Sequence, residues 1–376
     1  MQYSTFAAID IGSYDVILEI FEISKKQGIR SVDKICHRME LGKDTYTLGK
    51  IRPEMEEELC RVLADFVRIM EGYRVDDYRA TASSAISEAS NSLYVLGKIH
   101  QLTGLSVTVL SNSEQRFLSY KALAAMEDNF NKIIEKGTAI LDLDGGSFQI
   151  SLFDKDALVT TQNIRMGSLR IRERLAGIQS ETEHYEEMVE ELIWNEVSSF
   201  KKMYLKDRKI ENIMLIGDVF TDSVYQNIEE KTTKIISREN FNTWYEKIIR
   251  QSPMELAVKL GIPLENASLM YPSAVIYKCL IDMMGAEHIW IPGVHMTRGI
   301  AYEYAEQMKL LKGGHNFEND ILMAAKNIGK RYAVNRPHVQ NLEMTALAMF
   351  DATKKMHGMK AVSYTHLRAH ETVLDL

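Results

Sequence analysis

Ile9-Asp10-Ile11-Gly12-Ser13, near the start of the chain, and Leu141-Asp142-Leu143-Asp144-Gly145-Gly146-Ser147, far downstream, share one design. Each is an apolar strand carrying an aspartate, a glycine-serine turn and a second strand. The spacing predicts strands at 6–11, 16–23, 139–143 and 148–153; within 16–23, Leu18, Ile20 and Ile23 are apolar while Glu19 and Glu22 are polar, as a pleated strand requires. Two unrelated hairpins would also carry Gly-Ser turns, which are common. The matching register of the aspartate favours an internal duplication. Glycine lets backbone approach an anion, and successive N–H groups at such turns can form a nest for phosphate oxygens. The alternative is that Gly145-Gly146 only permits a sharp turn. Two loops in matching register predict a phosphate-binding cleft between two α/β lobes.

Outward from these turns, Pro53 opens a helix with Glu54, Glu56, Glu57 and Glu58 in and near its first turn, suiting the helix dipole. Further helices are expected at 84–100, from a Ser113 cap through 126, at 183–204, at 271–284 opened by Pro272, and at 296–311. Strands are expected at 106–110, 212–217 and 287–291. After Gly313-Gly314 the pattern is helical, at 317–332 and 337–357. The expected architecture is therefore α/β, with one lobe over 1–126, a second over 127–312 and an all-helical segment over 313–360. The last stretch, 361–376, continues no pattern and is set aside as a non-native tail.

The chain has 376 residues, 26% charged and 45% hydrophobic, with a net charge of −7. That is ample apolar material for cores and too acidic for a general nucleic-acid binder. Cys36, Cys60 and Cys279 are scattered and odd in number, which argues for a reducing compartment and against a disulfide framework. No window is long and apolar enough to span a bilayer, so a cytoplasmic protein with neither membrane nor nucleic acid as partner is expected.

The motifs, read in order, resemble one family. Ala7-Ala8-Ile9-Asp10-Ile11-Gly12-Ser13 resembles the AAIDIGSNS opening of exopolyphosphatases and guanosine-pentaphosphate phosphohydrolases. Ala80-Thr81-Ala82 through Asn91 resembles ATSAxRxAxN, Ser111 to Gln115 resembles SGxEE, and 140–147 resembles DIGGGST. Met166-Gly167-Ser168-Leu169-Arg170 resembles MGSxR; Tyr271-Pro272-Ser273 and 289–299 resemble later elements; 316–332 and 338–358 resemble the start of an HD-type helical domain. The resemblance implies two duplicated actin-like (ribonuclease H-like) lobes with an interlobe cleft, followed by a truncated helical domain. It implies hydrolysis of terminal phosphoanhydrides by water, with polyphosphate or guanosine pentaphosphate as ligand, Mg²⁺ as cofactor and a homodimer as a candidate assembly. By position, Gly12, Ser13, Tyr14, Gly145, Gly146 and Ser147 would bind phosphate, and Asp10, Asp142 and Asp144 would hold the metal.

This chain departs from the pattern at its chemistry. The second glutamate of SGxEE, the expected general base, is Gln115. The glutamate closing the second loop is Gln149, the arginine of ATSAxRxAxN is Ser87, and the first glycine of GGG is Asp144. Tyr14-Asp15 replaces the asparagine-serine, and the late LREG reads Met296-Thr297-Arg298-Gly299. An amide cannot accept a proton near neutral pH, which predicts hydrolysis that is weak or lost. Glu114, one position earlier, is the candidate substitute, although one residue on a helix turns the side chain by about 100°. The catalytic candidates are thus Glu114, Gln115 and Gln149. From another class, a non-catalytic sensor of a phosphorylated ligand, or a regulatory partner, fits the same residues.

Overall fold

The computed structural model describes residues 3–126, 130–155, 157–176, 185–227, 235–311 and 317–357. The first sheet is built from β1 (Ser4–Ile11), β2 (Asp15–Ser24), β3 (Gly28–Arg38), β4 (Asp77–Ala82) and β5 (Val107–Val109), in the order β3-β2-β1-β4-β5. Strands β1 to β3 are antiparallel neighbours, while β4 and β5 run parallel to β1. Around it lie α1 (Leu41–Leu48), α2 (Pro53–Gly72), α3 (Ser84–Ser87), α4 (Ser92–Thr103) and α5 (Asn112–Met126).

The second sheet repeats the first. It comprises β6 (Thr138–Leu143), β7 (Phe148–Asp154), β8 (Ala157–Ile164), β9 (Asn212–Ile216), β10 (Ile235–Ser237) and β11 (His288–Trp290). Its order is β8-β7-β6-β9-β11, with β10 added at the edge. Pairing senses match the first sheet strand for strand: β6 is antiparallel to β7, β7 to β8, and β9 and β11 run parallel to β6. The helices here are α6 (Phe130–Ile134), α7 (Ser168–Leu175), α8 (Tyr185–Phe200), α9 (Val219–Asn227), α10 (Arg238–Ile249), α11 (Pro253–Leu260) and α12 (Leu264–Met284). The duplication read from two turns is thus present in the topology of both sheets.

Strand β1 is buried on both faces, which explains its nearly continuous apolar run. Ala7, Ile9 and Ile11 face the core under α2 and α4, while Phe6 and Ala8 meet Ile300, Ala301 and Tyr304. The latter three lie on α13 (Met296–Gln307), which follows β11 in sequence yet packs on the first sheet and on α5. Helices α14 (Phe317–Arg331) and α15 (Arg336–His357) follow, and α14 lies on β8, where the Asn327 amide donates to the carbonyls of Leu158 and Val159.

Several elements differ from expectation. The edge strands β3 and β8 were not anticipated. The helix expected at 84–100 is two helices, because Asn91 turns back to Ile51, accepting from its N–H and donating to its carbonyl. Ala80-Thr81-Ala82 closes β4, just before α3. Pro272 lies inside α12, not at its start. Losing one backbone hydrogen bond there costs about 3 kcal/mol, which the burial of fourteen α12 side chains offsets. Helix α8 ends in a π-helical turn, Lys201–Leu205. The Gly313-Gly314 hinge and the 361–376 tail lie outside the described residues.

Candidate active site

Both turns sit at the same place in their sheets, between the first and second strands, and the lobes bring them into contact. A methyl group on Gly145 would come within 3.3 Å of Ser13 Cβ. The first turn is closed by Gly12 N–H donating to the Asp15 carbonyl at 2.8 Å, the second by Asp144 N–H donating to the Ser147 carbonyl at 2.9 Å. The amides of Ser13, Tyr14, Gly146 and Ser147 have no acceptor among the described residues. That leaves two adjoining sets of donors of the kind that bind anions.

Helix α7 fixes the second turn from below. The carbonyls of Asp144 and Gly145 accept from the N–H groups of Ser168 and Arg170. Gly167 is required, because a Cβ there would lie 2.2 Å from the Asp144 carbonyl oxygen. Arg170 then ties the lobes together. Its Nε donates to the Gly146 carbonyl at 2.8 Å, its Nη2 reaches both oxygens of Glu88 at 3.0 Å, and the guanidinium stacks 3.7 Å from the Tyr46 ring centre. One nitrogen is thus shared by both carboxylate oxygens, a charge-assisted contact stronger than a neutral hydrogen bond.

A cleft of about 370 Å³ runs along this junction, and it sorts the expected residues. Gly12, Tyr14, Gly145, Ser147, Asp10, Asp142, Asp144, Gln115 and Gln149 line it. Ser13 and Gly146 do not. Ser13 is fully buried, its hydroxyl 2.6 Å from Tyr46 Oη and 3.1 Å from Ser84 Oγ, and a Cβ on Gly146 would meet that same Tyr46 oxygen at 2.1 Å. Tyr46 was not anticipated, and nothing in its sequence surroundings marks it.

Glu114 lies outside the cleft. Ser111, not Ser113, caps α5, and the pair forms a capping box: Ser111 Oγ accepts from Glu114 N–H, and the Glu114 carboxylate accepts from Ser111 N–H at 2.8 Å and Oγ at 2.7 Å. Gln115 is the residue that α5 turns inward; it is only 7% exposed and donates from Nε2 to the Leu110 carbonyl at 3.2 Å. Glu114→Ala is therefore expected to leave any phosphate release unchanged while costing about 1 kcal/mol of stability through the lost cap. Thermal melts run beside the assay check both halves.

The aspartates are charged in name but strained electrostatically. Desolvation, then the neighbouring Asp144 and Asp15, push Asp10 up to about 8. Desolvation pushes Asp144 up to about 7, against the Gly145 N–H that its own carboxylate accepts at 2.6 Å. Asp142 rises to about 6, held from going further by Ser119 Oγ, which donates to it at 2.6 Å. Gln149, 5% exposed, carries an Oε1 with no hydrogen-bond partner among the described residues. Among the described residues no three His, Cys, Asp or Glu side chains form a ready metal cluster. A Mg²⁺ ion needs only one or two carboxylates when phosphates and waters complete its shell, and the mutually repelling Asp10 and Asp144 fit that mode.

A model of the Ppx/GppA phosphatase family matches residues 19–308. The bifunctional 3-dehydroquinate synthase/phosphatase of Fusobacterium nucleatum is 21% identical over 310 residues, 75% of this chain and 44% of that protein. Exopolyphosphatase 1 of Mycobacterium leprae is 25% identical over 144 residues, 38% of this chain and 41% of that one. The chain thus spans less than half the length of these curated relatives. An exopolyphosphatase structure from Cytophaga hutchinsonii superposes with a TM-score of 0.72 at 17% identity, covering 81% of this chain and 98% of that one. The Aquifex aeolicus member of the same family gives 0.66 at 18% identity, covering 82% and 99%. These likenesses show the two-lobe, actin-like fold.

Proposed function

The chain belongs to the Ppx/GppA phosphatase family, and from that premise we propose that its cleft binds the end of a phosphoanhydride chain and hydrolyses it slowly. The observation that carries this reading is the meeting of the two turns, with their uncommitted amides, over Asp10, Asp142 and Asp144. The amides of Tyr14 and Ser147, together with those beneath them, would hold the oxygens of the terminal phosphate. Gln115 stands where a proton acceptor is needed and can orient a water without deprotonating it. Asp10 and Asp144 would hold Mg²⁺, which when bound offsets phosphate charge. Polyphosphate and guanosine pentaphosphate both present the required group.

Gln115 also favours a second reading, a sensor that binds without turnover. Phosphate release from polyphosphate with Mg²⁺, measured beside ligand-induced thermal stabilisation, separates them. Release with stabilisation supports the slow phosphatase; stabilisation alone supports the sensor; neither overturns the phosphate reading.

The same carboxylates give a pH signature. Asp10, Asp142 and Asp144 hold their protons more tightly when folded than the ordinary value of 3.8. The folded chain then binds more protons than the unfolded one between that value and about 8. Their contribution to stability is full below the unfolded pKa and is lost as pH rises through the folded values. Without divalent cations, melting temperature should fall between pH 5 and 8 from these groups, and Mg²⁺ should restore it at pH 8. Asp10→Asn should flatten the slope and shrink the Mg²⁺ effect. An unchanged slope in that variant would remove Asp10 from the account.

A further inference from the structure

Behind the second turn lies another cavity, of about 420 Å³, back to back with the cleft. Ser147 lines both. Elsewhere neighbouring residues divide between them. Ser83 lines the cleft and Ser84 the rear cavity. Gln115, in the cleft, donates from Nε2 to the carbonyl of Leu110, which lines the rear cavity. Gln149 lines the cleft and Asn163 the rear cavity, and the two are paired in register between β7 and β8. Directly paired residues project from the same face of a sheet, so these amides are neighbours.

The rear cavity differs from the cleft in its charge. Its charged lining is Glu88 and Arg165. The Glu88 carboxylate already accepts from Arg170 Nη2 at 3.0 Å. Arg165, between β8 and α7, is exposed and makes no hydrogen bond or ion pair among the described residues. The uncommitted charge here is therefore positive, whereas Asp10, Asp142 and Asp144 line the cleft. Asn163 Oδ1 and Gln149 Oε1 are both buried with no hydrogen-bond partner among the described residues. Buried acceptors need a donor. Orthophosphate answers both features: it is an anion for Arg165, and near neutral pH it keeps a P–OH that can donate to an amide oxygen. A phosphate inside a chain has no such hydrogen.

In-line displacement puts the entering water and the departing chain on opposite sides of the terminal phosphorus. Gln115, which orients the water on the proposed reading, stands at the wall shared with the rear cavity, so the water side is the rear side. The water oxygen bonds to phosphorus, and the P–O bond to the chain breaks with its electron pair on the chain oxygen. One water proton stays as P–OH; the other passes to the chain oxygen or to bulk water. We propose that the rear cavity is a product site that binds the orthophosphate so released, through Arg165 and Asn163, while the shortened chain keeps to the cleft. This rests on the phosphate reading of the two turns.

Calorimetric titration with Mg²⁺ tests the proposal on the wild type, Arg165→Ala and Arg165→Lys. The probes are inorganic phosphate, sulfate and a methylene-bridged polyphosphate. Inorganic phosphate is expected to bind the wild type even when the bridged chain saturates the cleft. Arg165→Ala should weaken inorganic phosphate about tenfold and Arg165→Lys less, with the bridged chain within about twofold of wild type in both. Sulfate, an anion of similar size with no hydrogen to donate, should bind the wild type about tenfold more weakly than inorganic phosphate. Arg165 has no partner among the described residues whose loss would unfold the chain. The product site is overturned, and the phosphate reading left intact, if the bridged chain displaces inorganic phosphate competitively, if sulfate binds equally well, or if Arg165→Ala weakens both ligands alike or neither. A wild type that binds neither inorganic phosphate nor the bridged chain would overturn the phosphate reading and the product site with it.

Discussion

Gln115→Glu is expected to raise the rate of phosphate release from polyphosphate by about a hundredfold, the low end of what a positioned general base supplies. The side chain is already in place, since α5 turns it into the cleft and buries it. A carboxylate there would share desolvated surroundings with Asp10 and Asp144, which holds its pKa up toward neutrality and suits it to take a proton from water. The gain should appear in kcat, with KM little changed, because substrate contacts are untouched. Full activity should not return. Ser87 still offers no guanidinium and Gln149 no carboxylate. Adding Gln149→Glu and Ser87→Arg should then raise the rate more than additively, because residues of one site act as a unit. Wild-type turnover that survives Gln115→Ala but is abolished by Glu114→Gln would move the base to Glu114 and contradict the capping-box geometry.

Gly299→Ala should be among the most damaging single substitutions to stability. Helices α5 and α13 cross where a Cβ on Gly299 would lie 2.1 Å from the Leu118 carbonyl oxygen. The obstacle is backbone, so the helices themselves must separate, at an expected cost of about 3 kcal/mol. Separation would also displace Ser119 from Asp142 and Gln115 from the cleft, so ligand-induced stabilisation should fall with the melting temperature. Gly97→Ala provides the contrast. Gly97 lies exposed inside α4 with nothing within 4 Å of an added Cβ, so the change should stabilise the chain by about 0.5–1 kcal/mol. Equal melting temperatures for the two variants would mean that the crossing yields more easily than its geometry implies.

The sheets' shared topology was foreshadowed by two turns of about five residues each, because strand, aspartate and glycine-serine all carry their signal locally. The edge strands were harder. In the second half of β3, Asp33 to Arg38, partly buried and exposed positions alternate, yet Asp33, Lys34 and Arg38 hide that period under charge. The motif marks Gln115 as the candidate base position and leaves Glu114 as its alternative. Separating the two rests on the cap: Ser111 starts α5 and holds Glu114 at the helix end, for which the Ser-x-x-Glu spacing was the available signal. The partners that assemble the site, Tyr46 beneath Ser13 within the first lobe and Glu88 against Arg170 between lobes, join segments distant in sequence and had no local pattern to betray them.

The central claim is that the two duplicated turns together hold the end of a phosphoanhydride chain. A crystal structure with Mg²⁺ and a methylene-bridged, non-hydrolysable polyphosphate tests it most directly. The account predicts the terminal phosphate in the cleft between Gly12 and Gly145, its oxygens on backbone amides of both turns, and the cation beside Asp10 and Asp144. A ligand bound elsewhere, with the turns still closed on one another around Ser13 and Tyr46, would contradict it.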